Sequence, residues 1–191
     1  KVKVMRRFFY DFLWALILPL HEIDHEIPGK GMVVDLGCGQ GVIAQYLAST
    51  KTRQVIGVDN NKQRLPKSDQ KNLKFVLADI RKYDLKDVDA FVISDVLHHI
   101  SFQDQKNLLE KISKSLKKGG TLAIKDVDTG EFVRSRLTRF WDFVLYPKDK
   151  IYFNDANKLK KFLKSIKFEV TIIRPSRLFP GSTTLFVCQK N

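Results

Sequence analysis

Cysteine is scarce in this chain. Its 191 residues include two, Cys38 and Cys188. They stand far apart in sequence, which excludes a disulfide framework and suits a reducing cytoplasm. No Cys/His spacing resembles a zinc site. Acidic residues are also short, 21 against 34 Lys and Arg, for a net charge of +13. That balance admits three kinds of partner: nucleic acid, an anionic membrane surface, or an anionic small substrate. A solvated lysine surface is the plain alternative. Missing too is an apolar run long enough to cross a bilayer. Phe8–Leu20 comes nearest, at 13 residues. As a helix it reaches about 20 Å, against about 30 Å of hydrocarbon, and Asp11 interrupts it. Two arginines precede it as in a signal peptide, but no small-residue cleavage site follows. The stretch is expected to form a helix or helical hairpin, apolar nearly all round. Such a helix is buried, caps a site, or lies at a membrane or dimer surface.

What is present suits one domain, 1–191, with a sizeable core. The most informative stretch is Val33–Gly41, Val-Val-Asp-Leu-Gly-Cys-Gly-Gln-Gly. Met32–Leu36 has the composition of a buried parallel strand, with Asp35 near its end. Gly37, Cys38, Gly39, Gln40 and Gly41 then make a tight turn, and Val42–Ala48 continues at helical spacing. Glycine permits unusual dihedrals there and lets a ligand lie against the backbone. The helix that follows turns its free N–H groups and positive dipole end toward that ligand. The spacing is not that of the dinucleotide fingerprint, because the third glycine comes one residue early. An acid also stands two residues before the first glycine. A pyrophosphate would be repelled by that carboxylate, whereas a ligand with an ammonium group would be attracted.

Arg53–Val58 reads as a second strand ending at Asp59. A short helix is expected near Lys62–Leu65, stopping before Pro66. Leu73–Ala78 and Val88–Ile93 read as strands ending at Asp79 and at Ser94-Asp95. Ser101 caps the next helix, with Asp104 three residues on. Leu108, Leu109, Ile112 and Leu116 form its buried stripe, and Gly119-Gly120 are expected to end it. Thr121–Val127 is a fifth strand. Glu131–Tyr146 has helical spacing, and Asp155–Ile166 is an amphipathic helix with its lysines facing out. Phe168–Arg174 and Thr183–Gln189 make an antiparallel ending. The alternation predicts an α/β fold: a three-layer, Rossmann-like, doubly wound sheet of seven strands, mostly parallel, with the last strand antiparallel. Its parts are an apolar helical cap (1–29), a ligand-binding core (30–127), a helical insertion (128–154), and a C-terminal helix and hairpin (155–191). Ligands of such sheets bind beyond the carboxyl ends of the strands. Asp35, Asp59, Asp79 and Asp95 each fall at such an end. Asp59 can accept both hydroxyls of a ribose. Asp79 can accept from an adenine amino group or, more plainly, cap a strand-end turn.

Together these residues resemble the successive motifs of the class I S-adenosylmethionine-dependent methyltransferases, whose first motif reads acid-x-Gly-x-Gly-x-Gly. The resemblance covers about Val33–Val127. It includes an acid after strand two, an acid after strand three, a polar pair after strand four, and the Lys-Lys-Gly-Gly turn before strand five. It implies S-adenosylmethionine as cofactor and S-adenosylhomocysteine as product. The implied cofactor residues are Asp35 near the methionine ammonium, Gly37, Cys38 and Gly39 in the turn, Asp59 on the ribose, Asn60 along the adenosine, Asp79 and Ile80, and Ser94 and Asp95. The segment Ser94–Ile100 looks like the small-molecule branch of the family. It lacks the Pro-Pro-aromatic motif of amino-methylating nucleic-acid enzymes and the Pro-Cys of cytosine C5 enzymes, which argues against a nucleobase target. A ribose or protein target stays open, as does a non-catalytic module that only binds the cofactor.

An acceptor that keeps its proton at neutral pH needs a base. His98 and His99 are the candidates, although His99 also reads as a cofactor-loop or structural residue. Asp95, Asp126 and Asp128 stand where catechol-type O-methyltransferases place magnesium carboxylates. The match after strand five is imperfect, and no metal is expected. The acceptor should meet the N-terminal segment and the 128–154 insertion, with Arg134, Arg136, Arg139, Trp141 and Tyr146. Guanidinium groups beside aromatic surface suit an anionic head on an apolar or aromatic body, a lipid-, polyketide- or quinone-like acceptor. Peripheral membrane contact follows from the same features.

Overall fold

The computed structural model describes residues 20–127, 151–174 and 183–191. Helix α1 (Leu20–Glu26) leads into β1 (Gly31–Leu36), α2 (Val42–Leu47), β2 (Arg53–Asp59), β3 (Leu73–Leu77) and β4 (Val88–Ser94). A 3-10 turn, Leu97–His99, precedes α3 (Phe102–Ser115) and β5 (Leu116–Val127). Then come α4 (Ala156–Ser165), β6 (Phe168–Ile173) and β7 (Thr183–Lys190). The strands form one sheet of seven in the order β3-β2-β1-β4-β5-β7-β6. β1 is parallel to β2 and β4, β2 to β3, and β4 to β5. β7 inserts between β5 and β6 and is antiparallel to both. Strand order reverses at β1, which puts a crevice beyond the carboxyl ends of β1 and β4.

Val33, Val34 and Leu36 are buried on both sides of β1, as a parallel strand covered by helices on two faces requires. One core cluster joins this sheet to α3 and α4 through Leu108, Leu109, Ile112, Leu159 and Leu163. The other joins it to α1 and α2 through Ile23, Ile43, Ala44 and Leu47. Between α1 and β2 lies a buried cation that the apolar pattern does not announce. Arg53 pairs with Asp24 and donates to the carbonyls of Pro28 (2.8 Å) and Ile27 (2.9 Å). It satisfies carbonyls left over where α1 ends, a need shared by all helix C-termini.

Two local expectations are corrected. Lys62–Leu65 is a turn closed by Arg64 N–H to the Asn61 carbonyl at 3.0 Å, not a helix. The side chains of Asp59 and Asn61 take the N–H groups of Asn61 and Gln63, offering the backbone an alternative to helical bonding, and Pro66 has no N–H to continue it. Helix α3 stops at Ser115, ahead of the glycine pair. Leu116 is already extended because it pairs with Val88, and Gly119 lies inside β5 at a φ of +73° beside a register shift. The remaining elements agree with the expected ones within a residue or two. The expected helix over 131–146 and the apolar stretch before Leu20 lie outside the described residues. Among the described residues, no helix is long and apolar enough to cross a membrane.

Candidate cofactor-binding and active site

The turn after β1 is built by three glycines with three different tasks. Gly37 has a φ of +77°, and a Cβ there would meet Val96 Cγ2 at 2.4 Å. Its missing side chain therefore serves packing against the loop after β4. Gly41 has a φ of +74° and starts α2, and a Cβ there would meet Phe75 at 2.5 Å. Gly39, with a φ of +52°, has nothing within 4 Å of a Cβ position. It is the one glycine of the turn whose open side leaves room for a ligand against the backbone. The Gly37 and Cys38 N–H groups donate to the Val58 carbonyl at 2.7 and 3.0 Å, which fastens the turn to β2.

Asp59 completes that fastening. One carboxylate oxygen accepts from Gly39 N–H at 2.8 Å and the other from Asn61 N–H at 2.8 Å. An ionised carboxylate offers about four acceptor sites, so two remain for ligand hydroxyls. Asp35 lies at the end of β1, 2% exposed. Its Oδ2 is buried with no hydrogen-bond partner. Burial pushes its carboxyl up to about 7, helped by the charge of Asp59 and partly offset by the Ala44 N–H. An acid held near half-ionisation with one oxygen unsatisfied is costly to keep, and a cationic ligand group would relieve it. Burial first, then the charges of Asp35 and Asp59, push the Cys38 thiol far up. Cys38 is thus no nucleophile, and its Sγ lies 2.9 Å from a Cβ position on Gly57.

Asp79 follows β3, where the Ala78 N–H donates to the Asp59 carbonyl at 3.0 Å. Arg81 grips its carboxylate through Nε (3.0 Å) and Nη2 (2.7 Å) and holds it below the usual carboxylate range. Ile80 turns its side chain into the core, so any ligand contact there is a backbone one. Asn60 is exposed beside this crevice. The four acids that end strands β1 to β4 therefore come to one edge of the sheet, but among them only Asp35 has a buried oxygen without a hydrogen-bond partner.

The loop after β4 makes the other wall. Asp95 has a φ of +55°, a region costly for a residue with a Cβ. Its Oδ2 accepts from Lys125 Nζ at 2.5 Å and Ser94 Oγ at 3.2 Å. His98 is buried, with Nδ1 2.5 Å from Asp126 Oδ1. Phe153 stacks on its ring with centroids 5.5 Å apart, and the His99 ring lies 4.2 Å away. Gln105 holds this wall together. Its amide nitrogen lies within 2.9–3.1 Å of the Leu97, Ile100 and Tyr152 carbonyls, and its Oε1 accepts from Asn154. The Tyr152 N–H in turn donates to the His98 carbonyl at 2.8 Å.

Sequence reasoning did not single out Lys125, Gln105, Val96 or Phe153. A lysine inside an otherwise buried strand was the one available signal, for Lys125. Asp126, weighed only as a metal carboxylate, pairs with His98. Among the described residues, no group of His, Cys, Asp and Glu is placed to hold a metal. Arg134, Arg136, Arg139, Trp141 and Tyr146 lie outside the described residues.

Residues 34–124 match the family model of a methyltransferase domain. The chain is 31% identical over 118 residues to trans-aconitate 2-methyltransferase of Variovorax paradoxus, covering 59% of this chain and 45% of that protein. It is 29% identical over 154 residues to phosphoethanolamine N-methyltransferase 3 of Arabidopsis thaliana, covering 76% and 30%. It thus spans less than half the length of either relative. The crystal structure of a SAM-dependent methyltransferase from Archaeoglobus fulgidus has a TM-score of 0.72 at 19% identity, covering 90% of this chain and 91% of that one, and shares the fold. With the matched motif lying along the crevice of this sheet, residues 34–124 form a methyltransferase domain similar to those of the class I S-adenosylmethionine-dependent enzymes.

Proposed function

We propose that this chain transfers a methyl group from S-adenosylmethionine to a small acceptor with an anionic head and a partly apolar or aromatic body. One observation carries the cofactor part: the buried, half-titrating Asp35, with an unsatisfied oxygen beside the open Gly39. That arrangement fits a ligand with an ammonium group close to a backbone-hugging chain. Asp59 is held by two backbone N–H groups in a pose that can accept two ribose hydroxyls. Asp79 offers its carboxylate to an adenine amino group, shared with Arg81. The bound cofactor supplies an electrophilic methyl group on a sulfonium. The chain's own contribution is to place an acceptor atom in line with it.

Where the acceptor is a hydroxyl, His98 serves as the base. Asp126 on Nδ1 fixes the tautomer that leaves Nε2 basic, and Phe153 keeps the ring in place. The acceptor class rests on the run Arg134–Tyr146, in which three arginines are followed by four aromatic residues. Small-molecule relatives named for trans-aconitate and phosphoethanolamine support an acceptor of small size. Free Cys38 and Cys188 fit a cytoplasmic setting. Calorimetry with S-adenosylhomocysteine tests the cofactor half, and absence of binding sinks it. A screen of carboxylate- and phosphate-bearing aromatic and lipid acceptors, read by mass spectrometry, tests the rest. Arg136→Ala with Arg139→Ala should raise KM for any acceptor found. An unchanged KM refutes the anionic head.

A further inference from the structure

Helix α4 departs from the usual surface helix. Its sequence, Ala-Asn-Lys-Leu-Lys-Lys-Phe-Leu-Lys-Ser, holds four lysines and no acid. Its apolar side is spent in the core through Leu159 and Leu163. Lys158, Lys161 and Lys164 face solvent. Among the described residues, none of the four lysines forms an ion pair. Lys158–Lys161 and Lys161–Lys164 stand at i,i+3, and Lys160–Lys164 at i,i+4, spacings at which like charges repel and weaken a helix. The nearest acids in sequence are Asp155, whose carboxylate caps the helix by accepting from the Lys158 N–H, and Glu169 on β6. The repulsion is therefore uncompensated within the described chain, and an external polyanion would compensate it.

The neighbouring helix extends this charge. α3 and α4 lie side by side, tied at one end by Asn154 to Gln105 and at the other by Ser113 Oγ to the Ile166 carbonyl at 2.8 Å. Their C-terminal ends, joined through Ser113 and Ile166, carry exposed Lys114 and Lys167. Their N-terminal ends, next to the His98 loop, carry an aromatic surface. Phe102 is 50% exposed and stands edge-on to Tyr152, with centroids 5.5 Å apart. Charge without apolar side chains along the helix, ending in an exposed ring, suits a chain of phosphates with bases free to stack. A membrane surface would want apolar groups among the lysines. The large exposed hydrophobics of the described chain are Tyr46, Leu77 and Phe102, none of them on α4.

We propose that the outer face of α4, with the C-terminal turn of α3 and the Phe102 ring, binds single-stranded RNA. The surface runs from the far end of the sheet to the rim of the candidate site. Its occupation is independent of which acceptor is methylated.

The test uses the full chain and a fluorescein-labelled 20-nucleotide single-stranded RNA of mixed sequence, read by anisotropy at several salt concentrations. Wild type should bind with a steep salt dependence. Replacing Lys158, Lys161 and Lys164 together by Gln should flatten the log–log salt slope by about 2, from about 0.7 per phosphate contact. At about 0.1 M salt the same three contacts should cost roughly 100-fold in affinity. Phe102→Ala should weaken binding about tenfold without changing the salt slope. The triple variant should keep its S-adenosylhomocysteine affinity and melt no lower than wild type, which separates lost binding from lost folding and from failure of the cofactor reading. No RNA binding by wild type at about 0.05 M salt overturns the proposal. So does a triple variant that binds like wild type, or stronger binding to phosphatidylglycerol vesicles at equal phosphate.

Discussion

Asp35 provides the sharpest test of the site, because its environment gives opposite demands to the free protein and to the complex. Without a ligand, burial raises its carboxyl from an ordinary value near 3.8 to about 7. Between these two pH values the folded chain keeps a proton that the unfolded chain releases. The free protein therefore loses stability as pH rises from about 4 to about 7, by something on the order of 4 kcal/mol. That is a large part of the stability of an ordinary domain. A ligand ammonium needs the ionised form. Binding at about pH 6 should release close to one proton, and affinity should rise about eightfold between roughly pH 6 and 7.5 as the competent fraction grows. Asp35→Asn keeps the shape and removes the charge. It should flatten both pH profiles, leave the free protein at least as stable near pH 7, and weaken S-adenosylhomocysteine by about 10- to 150-fold, from about 1.5–3 kcal/mol of charge-assisted contact. The assays are denaturant melts across pH and calorimetry in buffers of different ionisation enthalpy. Wild-type binding that is flat in pH and releases no proton would refute the reasoning. So would an Asn variant that retains the wild-type pH dependence.

Four further outcomes are expected. Gly37→Ala should lower the melting temperature strongly, because its Cβ would meet Val96 at 2.4 Å. Gly39→Ala meets no atom and should cost the fold only about 1–2 kcal/mol for its positive φ, yet abolish measurable cofactor binding in calorimetry. Asp59→Ala should weaken S-adenosylhomocysteine by about 10- to 150-fold. It should also lower thermal stability, since the Gly39 and Asn61 N–H groups lose their acceptor, whereas a purely ligand-facing acid would leave the melting curve unmoved. Arg53→Met should cost roughly 1–3 kcal/mol in chemical denaturation, because the Pro28 and Ile27 carbonyls lose their donor, with little change in cofactor affinity of the folded fraction.

Much of the fold could be read locally. The strands of the parallel sheet are short apolar runs, each ended by an acid, and α3 and α4 carry a helical stripe with a side-chain cap, Ser101 and Asp155. These signals depend on neighbours within a few residues, so they survive without the tertiary fold. The expectations that failed were local signals overruled by competitors. At Lys62–Leu65 the competitors were the side chains of Asp59 and Asn61. At Leu116 the competitor was pairing with Val88, a partner distant in sequence.

By itself the sequence determined the order of strands and helices, the position of Asp35 beside the glycine turn, and the placing of Asp59, Asp79 and Asp95 at strand ends. Period and turn chemistry are written along the chain, and so is the family resemblance. Only the tertiary structure decided what each of those residues meets. It divided three similar glycines between packing on Val96, packing on Phe75, and open space. It gave Asp95 to Lys125 and Asp126 to His98. Burial and partnership depend on segments that are remote in sequence and meet only when the sheet closes. That is why Asp35, one of four similar acids along the chain, becomes the one left with a buried unsatisfied oxygen.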